Sequence, residues 1–255
     1  MTVKVSYEAG RADIILARPE VLNAMDWTVF DGLAAALDEI GARSDVRVVV
    51  ISGEGRSFCS GIDTSALASV AGSPAEMIGR AQAGFRKLAS LPLPTIAAIR
   101  GHALGAGLQL ALGCDIRVVA RDASLGILEA TYGLVPDLGG TQRLPALVGP
   151  GIAKKMIWLK ERIDGETAGR IGLAEVVVDA GDLDATVDDL AGRVATAPPL
   201  VVLATKQLVE LAGSVPFASG MDEEARFQTQ MLASSDFSAA VTAFMQKKDP
   251  TFTGS

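Results

Sequence analysis

Short, continuously apolar runs that alternate with helical patterns constrain this chain more than any other feature. The clearest run is Val46–Ile51, which is rich in β-branched residues and bounded by Asp45 and Gly53. Runs of this kind are typical of strands that are buried on both faces, as in parallel sheets. Thr95–Ile99 and Asp115–Ala120 are predicted as further strands. Because strands and helices alternate through the first half of the chain, the sequence predicts an α/β core.

Two helix starts carry clear N-terminal signals. Asp26 precedes an apolar stripe at helical spacing, and its carboxylate is placed to cap that helix. The segment Ser73-Pro74-Ala75-Glu76 combines a capping box with proline at the first helical position. The predicted apolar face of the helix that follows consists of Met77, Ile78, Ala81, Phe85 and Leu88.

The two ends of the chain differ in pattern. Val3–Tyr7 and Ala12–Leu16 predict a hairpin with a glycine between its strands. From about Gly149 onward helical patterns dominate. Three late helices are predicted, over Pro198–Leu211, Met221–Ala233 and Ser238–Lys248. We therefore expect a core over residues 1–195 and a helical region over residues 196–255.

Composition excludes several classes of function. The net charge of −7 over 255 residues disfavours nucleic acid, which needs a basic field, although a local basic patch could still hold one phosphorylated ligand. The N-terminus lacks an apolar signal core, and apolar runs such as Leu108–Leu112 are too short to span a membrane, so we expect a cytoplasmic protein with no membrane partner. Cys59 and Cys114 have neither disulfide-framework nor metal-ligand spacing. We predict buried packing roles for both, rather than nucleophilic ones, and no metal.

Two glycine-bearing turns, Gly61–Asp63 and Gly105–Gly107, each follow a predicted strand and precede a helical segment. Helix starts leave N–H groups without partners and favour negative charge. Glycine lets a ligand approach the backbone closely, and two converging N–H groups can form an oxyanion hole. The alternative is that these glycines serve only tight turns and close packing.

Over nearly its whole length the chain resembles the crotonase superfamily, also called the enoyl-CoA hydratase/isomerase family. The resemblance lies in five ordered motifs: Arg18–Ala24, Ser57–Asp63, Gly101–Asp115, Pro136–Leu144 and Phe244–Gly254. It implies an α/β fold of stacked ββα units, the crotonase spiral, followed by a C-terminal helical region that assembles trimers or dimers of trimers. It also implies stabilisation of a thioester enolate, with a coenzyme A thioester as substrate and no separate cofactor.

The resemblance also assigns roles by position. The oxyanion donors would be the N–H groups of Ile62 and Ala106, with Gly105 beside the second. Coenzyme A would lie along Arg18–Leu22, including Val21, and along Ser60–Asp63, including Gly61. Lys247, Lys248 and Phe252 would complete its site on the same or a neighbouring subunit, although Asp249 stands where the family often has a basic residue.

The expected reaction depends on two positions. Family hydratases use two glutamates; Glu129 matches the second, whereas Gln109 occupies the position of the first. An amide can hold a water but cannot transfer a proton at neutral pH, and losing an acid/base group costs about 10²- to 10⁴-fold in rate. Family isomerases need one carboxylate, so we expect a double-bond isomerase based on Glu129. The alternatives are a slow hydratase, with a water held by Gln109, and a non-catalytic acyl-CoA-binding protein.

Other residues near this position have two interpretations each. The apolar neighbours of Glu129 should raise the pKa of its carboxyl group, although it could simply serve a helix start. Asp137 matches the aspartate that partners the glutamate in dienoyl-CoA isomerases, but aspartate is also common in turns. His102, the sole histidine, suits packing or substrate lining better than a base. The stretch Ala66–Ile78 is expected to act as a lid that shapes the acyl pocket.

Overall fold

The computed structural model describes residues 1–63, 66 and 73–255, and every statement on structure concerns these residues. The helical segment predicted after the first glycine-bearing turn, over residues 64–70, lies outside them apart from residue 66, and so does much of the expected lid. The described strands are β1 Val3–Glu8, β2 Arg11–Leu16, β3 Val48–Gly53, β4 Thr95–Ile99, β5 His102–Leu104, β6 Ile116–Ala120, β7 Ser124–Gly126, β8 Arg162–Asp164 and β9 Val176–Val178.

Six of these strands form the main sheet, in the order β1-β2-β3-β4-β6-β9. The β1–β2 hairpin is antiparallel, and every later pairing in this sheet is parallel. Strand β3 is apolar at successive positions because both of its faces are buried. Val49 and Ile51 pack into one hydrophobic cluster, whereas Val48 and Val50 pack into a second cluster on the opposite face. The predicted α/β core with a parallel sheet is therefore confirmed.

The described helices cover both faces of this sheet and then continue beyond it. They are α1 Trp27–Gly41, α2 Pro74–Ser90, α3 Ala106–Gly113, α4 Gly140–Leu159, α5 Gly165–Arg170, α6 Leu183–Thr196, α7 Pro199–Leu211, α8 Phe217–Leu232 and α9 Ser235–Gln246.

Both predicted helix starts are confirmed. The Asp26 side chain accepts a hydrogen bond from the Val29 N–H at 3.0 Å, and Ser73 and Glu76 form a complete capping box at the start of α2. One detail was wrong: Ile78 was placed on the buried face of α2, but 43% of it is exposed. Only the second and later turns of α2 bury their apolar side chains against the core.

A second sheet of three short strands, in the order β5-β7-β8, was not predicted. It divides the glycine-rich segment that begins at Gly101 into strand β5 and the short helix α3. Gly105, the cap of α3, lies between them with φ of 52° and ψ of −121°, a conformation that side-chain-bearing residues avoid. This sheet fixes where α3 begins, and it therefore fixes the second glycine-bearing turn.

The late helices α7, α8 and α9 match the predicted ones within four residues at each end. Lys206 of α7 anchors them to the core, because its ammonium group donates to the Leu93 carbonyl at 2.8 Å and to Asp115 Oδ2 at 2.7 Å. Among the described residues no single helix is long and apolar enough to cross a membrane. One pair, Ala180–Thr196 with Pro199–Leu211, passes that test only when combined across a bend of 105°.

Candidate active site

The two glycine-bearing turns lie side by side and are hydrogen-bonded to each other's flanks. The Cys59 N–H donates to the His102 carbonyl at 2.8 Å, and the Leu104 N–H donates to the Cys59 carbonyl at 3.0 Å. Gly107 lies directly against this backbone, since a Cβ atom there would stand 2.4 Å from the Cys59 oxygen. Glycine at 107 is therefore required for the two turns to meet.

Each turn presents a backbone N–H group that has no acceptor among the described residues. Ala106 is the first residue of α3, where an N–H has no intrahelical partner. Ile62 follows Gly61, whose φ of 113° turns the chain, while its neighbours Gly61 and Asp63 exchange hydrogen bonds with Met25. The two N–H groups are thus available to a negatively charged oxygen, and their role as oxyanion donors stays a prediction.

Glu129 lies next to the second turn. It begins a short 3₁₀ helix, Glu129–Tyr132, and only 8% of it is exposed. A Cβ atom at Gly105 would stand 3.3 Å from Glu129 Oε1, so the carboxyl group packs on the residue that precedes Ala106. Its Oε2 atom is buried and accepts no hydrogen bond from the described residues. Burial is the largest cause that raises the pKa of Glu129 above its ordinary value, in the direction its apolar neighbours predict.

Gln109 holds the other carboxylate oxygen. Its Nε2 donates to Glu129 Oε1 at 2.7 Å, and its Oε1 accepts from the N–H groups of Leu138 at 2.9 Å and Gly140 at 3.0 Å. These partners fix the orientation of the amide, because only the NH₂ group can donate to a carboxylate and only the carbonyl can accept from N–H groups. The amide therefore links Glu129 to the start of α4.

Asp137 lies close enough to act on Glu129 electrostatically but does not hydrogen-bond to it. Its charge contributes to raising the pKa of Glu129, after burial and the opposing hydrogen bonds. Burial also raises the pKa of Asp137 itself. Its backbone carbonyl accepts from Gln82 Nε2 at 2.6 Å, which ties this loop to α2. The two carboxyl groups predicted from the sequence thus share one region, each with a raised pKa.

The two segments predicted to lie along coenzyme A are joined to each other. The Ser60 N–H donates to the Leu22 carbonyl at 3.0 Å, and the Ser60 hydroxyl donates to the Val21 carbonyl at 3.3 Å. The Arg18 guanidinium lies 3.0 Å from Asp63 Oδ2 and donates to the Ala24 carbonyl at 2.6 Å. Arg18 therefore ties the two segments together as an internal ion pair.

Sequence reasoning missed Asn23, a fully buried residue with a left-handed φ of 58°. Its Oδ1 accepts from the Arg18 N–H at 2.9 Å, and its Nδ2 donates to the carbonyls of Glu54 at 3.0 Å and Ser57 at 2.7 Å. Asn23 thus connects the first of these segments to the chain that leads into the second. Its position inside the Arg18–Ala24 motif could have identified it, since asparagine adopts this backbone conformation more readily than most residues.

The C-terminal residues predicted to complete the site contact the helical region instead. Phe252 lines a cavity of about 640 Å³ together with Pro198 and Asp236. Lys247 ends α9 in a left-handed conformation, and the Lys248 N–H donates to a carbonyl of α9. No hydrogen bond or ion pair of the described residues joins these three to the glycine-bearing turns. Their contribution to a ligand site stays a prediction.

The remaining candidates are His102 and the two cysteines. His102 Nδ1 lies 3.3 Å from the hydroxyl of buried Ser57, and the His102 N–H donates to the same hydroxyl at 3.0 Å. Cys59 and Cys114 are buried, and burial raises the pKa of each thiol to about 12. A thiol with so high a pKa is not a nucleophile at neutral pH, so the packing role predicted for both is confirmed. No cluster of metal-ligating side chains occurs in the described part of the chain.

Comparison with known proteins decides the family. The family model described as enoyl-CoA hydratase/isomerase matches residues 6–255. The chain belongs to the enoyl-CoA hydratase/isomerase family. A probable enoyl-CoA hydratase of Rhodobacter capsulatus is 36% identical over 99% of this chain and 98% of its own length. A peroxisomal Δ(3,5)-Δ(2,4)-dienoyl-CoA isomerase of Arabidopsis thaliana is 34% identical over 94% of this chain and 91% of its own.

The solved structures of the family confirm the predicted crotonase fold. A putative enoyl-CoA hydratase from Thermobifida fusca, solved in complex with CoA, superposes with a TM-score of 0.84 at 38% identity. The match covers 91% of this chain and 93% of that one. The relatives include proteins named as hydratases and proteins named as isomerases, so family membership leaves the reaction open between these two classes.

Proposed function

We propose that this member of the enoyl-CoA hydratase/isomerase family is an acyl-CoA double-bond isomerase, of the Δ3-Δ2 or dienoyl type. The observation that carries the proposal is the hydrogen bonding of Glu129. The buried Glu129 carboxylate has a raised pKa and an Oε2 atom with no hydrogen-bond partner among the described residues, while the position of the first family glutamate holds an amide, Gln109. A single proton-transferring carboxylate suits an isomerase, because the same group can remove a proton and return it to another carbon.

In this mechanism the thioester oxygen accepts hydrogen bonds from the N–H groups of Ile62 and Ala106. Glu129 Oε2 removes a proton from C2 of a 3-enoyl thioester, and the electron pair of that C–H bond delocalises onto the thioester oxygen as a dienolate. Glu129 then returns the same proton to C4, which gives the 2-enoyl product. No water is consumed. Removing one such oxyanion donor typically costs about 10²- to 10³-fold in kcat.

The raised pKa of Glu129 supports this role. A catalytic base works best when its pKa lies near the operating pH, and burial raises the pKa of Glu129 toward that range. Asp137 contributes in the same direction through its charge. We assign Asp137 a supporting role, as the second carboxyl group that takes part in proton transfer with Glu129 when the substrate is a dienoyl-CoA.

Binding of a coenzyme A thioester is supported by the structure of the Thermobifida fusca neighbour in complex with CoA. We propose that the Arg18–Leu22 and Ser60–Asp63 segments, which are hydrogen-bonded to each other, flank this ligand. Assembly into trimers through residues 196–255, cytoplasmic location and a place in fatty-acid metabolism belong to the same proposal. Sedimentation of the full chain tests the assembly.

A side-by-side assay tests the reaction. The full-length protein is given 2-enoyl-, 3-enoyl- and 3,5-dienoyl-CoA substrates, and both isomerisation and hydration are followed. We expect isomerisation to be the fastest reaction and Glu129→Gln to reduce it by about 10²- to 10⁴-fold. Lys4→Met, which removes an exposed ion pair with Glu54, is the matched control and should retain wild-type rates.

Three outcomes would contradict the proposal. Hydration of a 2-enoyl-CoA at a rate far above isomerisation would make the chain a hydratase in spite of Gln109. Full isomerase activity in Glu129→Gln would exclude Glu129 as the proton carrier. Tight acyl-CoA binding without turnover of any of the three substrates would make it a binding protein.

A further inference from the structure

Gln109 makes three hydrogen bonds, one to Glu129 and two to the backbone around the start of α4. It is almost fully buried, with 1% of its surface exposed. Its carbonyl oxygen accepts from Leu138 and Gly140, which lie 29 and 31 residues further along the chain, and its NH₂ group donates to Glu129, 20 residues further. Helix α3, which carries Gln109, is also the helix whose first N–H belongs to Ala106.

We propose that Gln109 is a positioning residue that holds Oε1 of Glu129 and leaves Oε2 as the only oxygen for proton transfer. The inference rests on the proposed function, because it assumes that Glu129 moves a proton. It goes further by naming which carboxylate oxygen acts and which side chain selects it. A carboxylate fixed through one oxygen cannot rotate freely, so its other oxygen keeps a constant place relative to the second glycine-bearing turn.

The orientation of the amide is what makes the selection reliable. A free glutamine can present either its oxygen or its nitrogen to a neighbour. Here two backbone N–H groups point at one end of the amide, so the oxygen must occupy that end and the NH₂ group must face Glu129. The backbone N–H groups around the start of α4 therefore orient the amide so that its NH₂ group donates to Glu129. Hydrogen bonding to the charged form of a carboxyl group favours that form, which opposes the effect of burial.

Gly140 is matched to this arrangement. A Cβ atom at position 140 would stand 2.9 Å from Gln109 Oε1 and 3.0 Å from its Cγ. The backbone of Gly140 has an ordinary φ, so alanine would be tolerated by the helix itself. The atoms it would displace belong to the Gln109 side chain, so Gly140→Ala should shift the amide and disturb its hydrogen bond to Glu129 without changing its chemistry. Gly151→Ala, on the same helix with nothing within 4 Å, is the matched control.

The test measures the pKa of Glu129 directly and does not need turnover. Full-length protein carrying ¹³C-carboxyl glutamate is titrated by NMR, and the Glu129 signal is assigned by its absence in Glu129→Gln. In Gln109→Met and Gly140→Ala we expect the Glu129 pKa to rise by about one unit, because a hydrogen bond to the charged form is lost. Gly151→Ala should leave it unchanged. The acid limb of the kcat/KM profile should move by the same amount, with a fall in kcat and little change in KM.

Gln109→Glu tests the hydrogen bond that Gln109 donates to Glu129 separately from those it accepts from Leu138 and Gly140. This variant can still accept from Leu138 and Gly140 but no longer donates to Glu129 and adds a like charge, so the Glu129 pKa should rise further than in Gln109→Met. An unchanged Glu129 pKa in a folded Gln109→Met or Gly140→Ala protein would overturn the inference. If the pKa shifts as expected but the wild type turns over no enoyl-CoA, the proposed function fails and the positioning contact stands.

Discussion

Gly107 offers the sharpest test of how the two glycine-bearing turns are held together. In Gly107→Ala the new Cβ atom would stand 2.4 Å from the Cys59 oxygen, 2.8 Å from its Cβ and 3.0 Å from its carbonyl carbon. Favourable contacts between non-bonded carbon atoms lie at about 3.5–4.0 Å. Since the atoms met include backbone atoms, the two turns must separate by about 1 Å.

This displacement should act on rate more than on stability. The displacement would change the distance between the N–H groups of Ile62 and Ala106. A misplacement of about 1 Å typically costs about 10²-fold in rate. Overpacking costs about 1–3 kcal/mol, while alanine in place of glycine in a helix returns at most about 1 kcal/mol. We therefore expect a loss of about 10²-fold in kcat/KM and a net loss of about 1–2 kcal/mol in unfolding free energy.

The measurement uses the thioester that the wild type turns over best, together with urea unfolding followed by circular dichroism. Gly151→Ala is the control, because its Cβ atom meets nothing within 4 Å and it should match the wild type in rate. A Gly107→Ala protein with turnover within about twofold of Gly151→Ala would refute the reasoning. It would mean either that the turns tolerate separation or that the Ala106 N–H is not a donor to the substrate.

Two further predictions concern stability. The first is Glu129→Gln. Burial raises the pKa of Glu129 in the folded state above its ordinary value. The stability that this group contributes to the wild type is therefore fully present below the ordinary glutamate pKa and is lost as pH rises through the raised pKa. The variant should therefore melt above the wild type at pH 8 and lose that advantage at pH 4, and an equal difference at both pH values would contradict this. Lys206→Met should cost about 1–3 kcal/mol and speed hydrogen exchange in α7, since it leaves half-buried Asp115 without its cation. Arg193→Met, at an exposed pair, is the control, and equal losses would refute the anchoring role.

Features with local causes could be predicted from the sequence. The caps at Asp26 and Ser73 depend on side chains within three residues, so their motifs identify the helix starts directly. The buried strand β3 could be predicted because both of its faces are apolar. Strand β5, by contrast, has three residues, too few to show a period, and it exists only because β7 pairs with it.

The same distinction between local and long-range causes applies to the site. The second glycine-bearing turn could be predicted because glycine followed by a helix start is a local pattern. The hydrogen bonds of Gln109 could not, because their partners Leu138 and Gly140 are brought to it only by the packing of α3 against α4. The sequence suggested a water held by Gln109 only as part of the hydratase alternative; in the structure its carbonyl accepts from two backbone N–H groups and its NH₂ group donates to Glu129.

Overall similarity cannot choose the reaction in this family, since a relative named as a hydratase and one named as a dienoyl-CoA isomerase are 36% and 34% identical to this chain. The choice depends on a few atoms around Glu129. The N–H groups of Leu138 and Gly140 would donate equally well to an amide oxygen or to a carboxylate oxygen at position 109. A carboxylate held by two N–H groups would stay ionised and place a second charge beside Glu129. An amide of the same shape adds no charge and turns a donor toward Glu129 instead. The same backbone can thus hold a carboxylate or an amide at position 109, and this chain has the amide.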